Sequence, residues 1–287
     1  MPCGPSSRLA RILIWFTTGL LSNGLLCVDC ESSALTIQVS KHPTTTSAQR
    51  SDDGFEILPA PVLQHVSRGG ELSGLGRLDE AIAEFREAIR VAGRPVFTAY
   101  LNMGAVFFTK REFSQAIEAF KQALAVRPNS YQAHYNLAEA MFGAEDFVGA
   151  EKEYRRVLEL SADLVAIKAR HFLGLSLYKQ RRLDEAINEF RAAIEQAEGK
   201  YAEAHYNLGI ALLERKQPGA AESEFKLAVE QEKTPWPEAQ YNLAKAIEEQ
   251  KRFREAAEAY EVYLKLAPGA ADAKKMREYI EYLRRKK

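Results

Sequence analysis

Cysteine ends at residue 30. The chain has three, Cys3, Cys27 and Cys30, so neither a disulfide nor a cysteine-based metal site staples the rest of it. A surplus of one charge is also missing. Lys plus Arg and Asp plus Glu each number 39, and the net charge is zero. That excludes a general affinity for nucleic acid, which needs a positive field along the phosphates, and a polybasic clamp on a membrane. Glycine and proline, 17 and 11 of 287 residues, are too few for a collagen or a proline-rich linker protein. No GxSxG, HExxH, P-loop or GxGxxG run occurs. What is present is a globular mixture, 46% hydrophobic and 27% charged, long enough for one large domain or two ordinary ones.

The N-terminus reads as an address. Arg8 and Arg11 precede an uncharged apolar stretch, residues 12–28, and Asp29 and Glu31 follow it. A positive start, an apolar middle and a polar exit describe a secretory signal. Interrupted by Ser22, Asn23 and Gly24, it is short for a stable membrane span. Residues 1–34 are therefore a cleaved signal, an N-terminal anchor or a buried apolar stretch, with cleavage after Gly24, Cys30 or Ala34. The arginines keep the first two alternatives oriented with the rest of the chain outside the cytoplasm. Lipidation of Cys27 is disfavoured by Leu26, which is not small. The CxxC of Cys27 and Cys30 lacks the two further ligands that zinc needs. Residues 35–61, with the run HPTTTSAQRSDDG, have too little large apolar surface to offset the entropy of ordering. They read as a disordered linker.

Beyond it, one motif is written six times. GRLDEAIAEFREAI (76–89) returns at 111–124, 145–158, 181–194, 216–229 and 251–264, at offsets of 35, 34, 36, 35 and 35. Each copy is preceded by a second apolar-periodic stretch, clearest in HYNLAEAMF and HYNLGIALL. Apolar residues recur at three and four, which marks amphipathic helices. Two helices of about 14 residues fill each period, and no segment alternates like a strand. A lone pair cannot cover its own apolar face, so successive pairs stack and share a core. Small residues mark the contact: Gly104, Ala138, Gly174, Gly209 and Ala244 in the first helix, and Ala81, Ala116, Ala150, Ala186, Ala221 and Ala256 in the second. Phe85, Phe120, Tyr154, Phe190, Phe225 and Tyr260 follow one turn later and fill the space between pairs. Pro128 and Pro268 stop their helices.

These residues resemble the tetratricopeptide repeat, a 34-residue helix–turn–helix unit. The resemblance implies an all-α fold, a right-handed α-solenoid of stacked pairs over repeats 62–95, 97–130, 131–164, 167–200, 202–235 and 237–270, with a capping helix in 271–287. Arg68, Gly69 and Gly70 predict a frayed first helix. The offset of 36 predicts a lengthened loop near 164–166.

Such arrays are similar in function as well as shape. Their first helices line a concave groove that holds a segment of a partner protein. By register, the groove-facing residues here are Asn102, Phe108, Tyr135, Asn136, Phe142, His171, Phe172, Tyr178, Tyr206, Asn207, Tyr241 and Asn242. The asparagines recur one place after Leu101, Tyr135, Tyr206 and Tyr241. An amide both donates and accepts, so such a row suits an extended peptide backbone, though the family carries Asn and Tyr there for packing as well. Phe172 interrupts the row and, with Phe142 and Tyr178, makes the middle of the groove aromatic. A carboxylate clamp is not expected, because the places that would need Lys hold Leu101 and tyrosines. His134 and His205 share one register place and read as architectural. Carboxylates such as Glu84 and Glu87 read as a solvated outer face, and the basic residues of 274–287 as a cap.

The sequence thus predicts a protein-binding adaptor or assembly factor, exported and either periplasmic, secreted or membrane-tethered. It takes a protein or peptide partner, no nucleic acid and no cofactor or metal, and touches a membrane only through an uncleaved N-terminus. The alternatives are a structural spacer or self-assembling scaffold with an empty groove and, more remotely, an enzyme.

Overall fold

The computed structural model describes residues 56–161, 164–232, 234–271 and 273–286. The signal-like segment 1–34, with Cys27 and Cys30, and the linker as far as residue 55 lie outside them. Among the described residues there are thirteen helices and no strand. They fall into two compact units that divide after Pro128.

The first unit holds two helix pairs: α1 (Ala60–Gly74) with α2 (Leu78–Ala92), and α3 (Phe97–Thr109) with α4 (Phe113–Val126). The second holds four: α5 (Tyr131–Gly143) with α6 (Phe147–Leu160), α7 (Leu164–Lys179) with α8 (Leu183–Gln196), α9 (Ala202–Glu214) with α10 (Pro218–Gln231), and α11 (Pro237–Glu249) with α12 (Phe253–Leu266). A last helix, α13 (Ala273–Arg285), packs on α12 through Ala273, Met276, Ile280 and Leu283. Within each unit every pair packs on the next.

One device recurs in the four pairs that carry a glycine at the contact. The second-helix aromatic lies over the first-helix small residue. A Cβ added at Gly104, Gly174 or Gly209 would stand 2.6–2.7 Å from the ring of Phe120, Phe190 or Phe225, far inside van der Waals contact. Gly69 does the same with Phe85, at 2.6 Å. The first helix is therefore continuous rather than frayed, and Gly69 is the equivalent of Gly104 one repeat earlier. The aromatics fill the space within a pair, where the sequence placed them between pairs. Phe85, Phe120, Tyr154, Phe190 and Phe225 are all essentially inaccessible, each stabilising the core by about 1.5–3 kcal/mol.

A second device turns the chain between the helices of a pair. Gly76, Arg111, Glu145, Arg181, Lys216 and Lys251 all have φ between 58° and 75°, the left-handed region that terminates helices. In α3 the Arg111 N–H bonds to the Phe108 carbonyl and the Glu112 N–H to the Phe107 carbonyl, both at 2.9 Å. Those bonds satisfy carbonyls that the helix end would otherwise orphan.

Two further expectations change. Residues 164–166 form no loop. They add a turn to α7, which runs 16 residues where its counterparts α5, α9 and α11 run 13, and Ala166 within that turn is buried. Glu56, within the expected linker, is anchored: its carboxylate accepts from the N–H groups of Phe97 and Thr98 at 3.2 and 3.0 Å. It thus caps α3, whose N-cap residue Val96 has no side-chain acceptor to offer.

Candidate functional site

The repeat places four side-chain ties within pairs, each joining residues 19 apart. His65 Nδ1 meets Glu84 at 2.7 Å, and His134 and His205 meet Glu153 and Glu224 at 2.6 Å. In the fourth repeat Arg170 bonds Glu189 at 3.2 Å. These histidines tie the two helices of a pair, as the shared register of His134 and His205 implied. The sequence missed that His65 joins them, and that Glu84 faces this tie rather than open solvent. Among the described residues, no group of three or more His, Cys, Asp or Glu could hold a metal ion. Second helices are also tied to the turn of the next repeat. Glu222 accepts from Gln250 at 2.7 Å and Arg252 at 2.6 Å. Burial alone would raise its pKa, but bonds from Lys226, Gln250 and Arg252 together outweigh it and hold the carboxyl below its usual range.

The first helices carry the residues singled out above. Asn102 and Phe108 lie in the first unit, both half-buried, with the Phe108 ring edge-on to Phe113 at 5.7 Å. The other ten lie in the second. The residue preceding the asparagine place packs on the second-helix aromatic of its own repeat: Tyr135 on Tyr154 at 5.8 Å, His171 on Phe190 at 5.9 Å, Tyr206 on Phe225 at 5.9 Å and Tyr241 on Tyr260 at 5.5 Å. These rings are therefore partly or wholly core. Tyr135, Asn136 and His171 are only 5–6% exposed, while Phe142, Phe172, Tyr178, Tyr206, Asn207, Tyr241 and Asn242 are half-buried.

The asparagines act between repeats. The Asn207 amide donates to His171 Nε2 at 2.7 Å, and the Asn242 amide to the Tyr206 hydroxyl at 3.0 Å, each reaching 36 residues back. Part of the capacity that a peptide backbone would use is spent on these rungs. With Nε2 accepting, the neutral His171 ring carries its proton on Nδ1 and donates to the Tyr201 oxygen at 2.9 Å. Burial pushes its pKa down to about 3.

At Phe172 the ladder changes. The phenyl ring stacks on Tyr154 at 5.9 Å and stands edge-on to Tyr135 at 6.4 Å and to Phe142 at 6.3 Å. Phe142 and Phe172 thus meet as the sequence implied, whereas the Tyr178 hydroxyl bonds to Glu214 in the next repeat. No amide reaches Tyr135. The Tyr135 and Tyr154 hydroxyls and Asn136 Oδ1 are buried without a hydrogen-bond partner. Beside them lies Glu139, one turn from Tyr135 on α5 and 9% exposed. Its carboxyl is within electrostatic reach of the Tyr135 hydroxyl without a well-formed hydrogen bond. Burial pushes its pKa up to about 8, against the smaller opposing pulls of Tyr135 and Lys168. Neither Glu139 nor Tyr154 was visible as a site residue in the sequence, where Glu139 is one more glutamate and Tyr154 one more core aromatic.

Comparison with known proteins comes out consistently. A family model described as tetratricopeptide repeat matches residues 101–164, 173–235 and 228–271, and another of the same description matches 65–94. The heat shock protein STI1 of Saccharomyces cerevisiae is 31% identical over 90 residues, which are 31% of this chain and 15% of that protein. The BBSome complex member BBS4 homolog of Drosophila melanogaster is 28% identical over 129 residues, 45% of this chain and 25% of that one. The chain thus spans a quarter or less of these relatives. Among solved structures, YrrB, described as a TPR protein with an unusual peptide-binding site, superposes with a TM-score of 0.55 at 20% identity, covering 68% of this chain and 97% of its own. The pilF protein of Pseudomonas aeruginosa superposes at 0.61 with 14% identity, covering 76% and 97%.

Proposed function

The chain belongs to the tetratricopeptide repeat family, and on that premise we propose that it is a protein-binding adaptor whose first helices hold a segment of a partner protein. One observation carries the reading. Phe142, Phe172, Tyr178, Tyr206 and Tyr241, on four successive first helices of the second unit, stay half-buried although the core beneath them is closed. Rigid aromatic side chains that keep an open edge anchor partners at low entropic cost. YrrB, a similar array, is described as carrying a peptide-binding site, and the reading extends that role here. It assigns the chain no catalysis, nucleic acid or cofactor.

We further propose that the repeats work outside the cytoplasm, on the charge pattern of residues 1–34 alone. No described helix is long and apolar enough to cross a membrane. Fractionation of cells carrying the full chain, with and without Arg8 and Arg11, checks this; cytosolic repeats with both arginines present would sink it.

The binding test is a crosslinking pull-down with the full chain and with the Tyr178→Ala/Tyr241→Ala double variant. Both side chains are half-buried, and because Tyr241 also packs on Tyr260 and Tyr263, equal helicity and melting temperature of the two baits are established first. The proposal expects the intact chain to recover a protein that the variant loses. Identical recovery by both baits contradicts it and moves the work of the chain to scaffolding.

A further inference from the structure

Two departures from the repeat's own pattern meet at one spot in the second unit. Phe172 stands where Asn207 and Asn242 supply an amide to the preceding repeat. Glu139 stands where Ala105, Leu175, Ile210 and Lys245 hold the same register place in other repeats, and of these five it alone is buried. The first departure leaves the Tyr135 hydroxyl without a donor, and the second sets a carboxyl next to it. With Tyr154 itself standing where four of the other five repeats hold Phe, the result is two buried hydroxyls without a well-formed hydrogen bond, on residues 5% and 0% exposed, and a carboxyl on a residue 9% exposed. Such groups cost the fold stability unless something pairs with them. All of these oxygens can accept a hydrogen bond. The half-buried rings of Phe142 and Phe172 lie in contact beside them, on a face shared with Glu139 by the three-and-four spacing of α5. Acceptors with a carboxyl and aromatic faces suit a donor that carries positive charge.

We propose that Tyr135, Glu139 and Tyr154, with the rings of Phe142 and Phe172, form a subsite for one Lys or Arg side chain of the bound partner segment. This rests on the groove-binding reading above and names the side chain that the groove selects. The cation donates to the Glu139 carboxylate, the buried hydroxyls flank that carboxylate, and the charge lies over the rings. Free Glu139 is largely uncharged at neutrality, because burial holds it at about 8. A cation beside it favours the carboxylate, so one proton leaves for solvent as the segment binds. The groups facing Glu139 are Tyr135 on its own helix, Tyr154 on α6 and Lys168 on α7. Both tyrosines are pushed well above their ordinary values, chiefly by burial, and His171, on α7, is pushed down to about 3. The carboxyl is therefore the group that titrates near neutrality.

The probe is a peptide selected from a random displayed library on the immobilised full chain. Selected peptides are expected to share a Lys or Arg at one position. Changing it to Gln is expected to weaken binding at least about tenfold, Glu139→Gln to do the same, and the two losses not to add. Affinity for the intact chain is expected to rise roughly tenfold per pH unit between about pH 6 and 8 and then level, and to stay flat for Glu139→Gln. If Glu139→Gln loses helicity, Tyr154→Phe replaces it, with a loss of several-fold expected. Peptides that bind Glu139→Gln as tightly as the intact chain, or that share no cation, overturn the subsite. If those peptides still lose affinity for Tyr178→Ala/Tyr241→Ala, the groove reading survives alone. Recovery of no peptide overturns both.

Discussion

The second unit contains the same rung twice whole and once broken. At Asn207–His171 and Asn242–Tyr206 an amide of one repeat pairs with the polar ring of the repeat before. At Phe172–Tyr135 a phenyl ring takes the place of the amide, and two hydroxyls go unpaired. The frame is a stack of helix pairs in all three, with α7 one turn longer than its counterparts. Two of the three seams between helix pairs of the second unit are thus closed by a polar tie, and the third departs from its neighbours. Unpaired buried groups destabilise, so their place marks where the fold gives up stability.

The comparison can be broken at its frame. Gly174→Arg must displace the Phe190 ring, 2.7 Å from the position of its Cβ, and is expected to cost about 2–4 kcal/mol in chemical denaturation. An unchanged midpoint would refute the glycine–aromatic interlock. Next comes a whole rung. Asn207→Leu leaves buried His171 Nε2 without its donor, at an expected cost of about 1–3 kcal/mol. Equal stability would show that the rung ties nothing.

The rung can be sharpened by pH. His171 is pushed down to about 3 when folded, against about 6.5 in an unfolded chain. Between those values the unfolded state binds the proton and the folded state does not, so stability is whole above about pH 6.5 and falls as pH drops. At about pH 5 the loss is on the order of 1–2 kcal/mol. His171→Tyr installs the residue of Tyr135, Tyr206 and Tyr241 at that place, and its acid slope should be shallower. His205 runs the other way. Burial lowers its pKa, but the bonds to Glu224 and the Gly199 carbonyl outweigh that and raise it. Its contribution is present below its unfolded pKa and is lost as pH rises through the folded one. Denaturation series across acid to mildly basic pH, on His171→Tyr and on His205→Gln, separate the two signs.

Smaller effects separate whole from broken rungs. Tyr206→Phe removes the acceptor of the Asn242 amide and should cost about 0.5–1.5 kcal/mol. Tyr154→Phe removes a buried hydroxyl that pairs with nothing and should be neutral or stabilising by up to about 1 kcal/mol. If both changes cost the same, the two kinds of seam are alike. The smallest effect lies in the turns. Lys216 has φ of 58°, and Lys216→Gly should gain a few tenths of a kcal/mol, up to about 1, visible as a small rise in melting temperature.

Much of this frame was legible in the sequence because the repeat acts as its own control. Six copies in register revealed the helices, the pairs and the small residues at their contact. What escaped was set by neighbours in space. Gly69 looked like a flaw beside Arg68 and Gly70, yet the ring of Phe85 requires it. The left-handed turn residues were invisible because only the first is glycine. The spacing put the asparagines on one helix face, but the 36-residue reach to the preceding repeat depends on how the pairs stack. Glu139 could not be told from a solvated glutamate until its burial beside Tyr135 was known.

The most direct measurement is hydrogen–deuterium exchange of the full chain, free and bound to the protein it captures. New protection is expected to concentrate in the first helices Tyr131–Gly143, Leu164–Lys179, Ala202–Glu214 and Pro237–Glu249, with the second helices unchanged. Protection confined to the second helices, or to Ala273–Arg285, would contradict it.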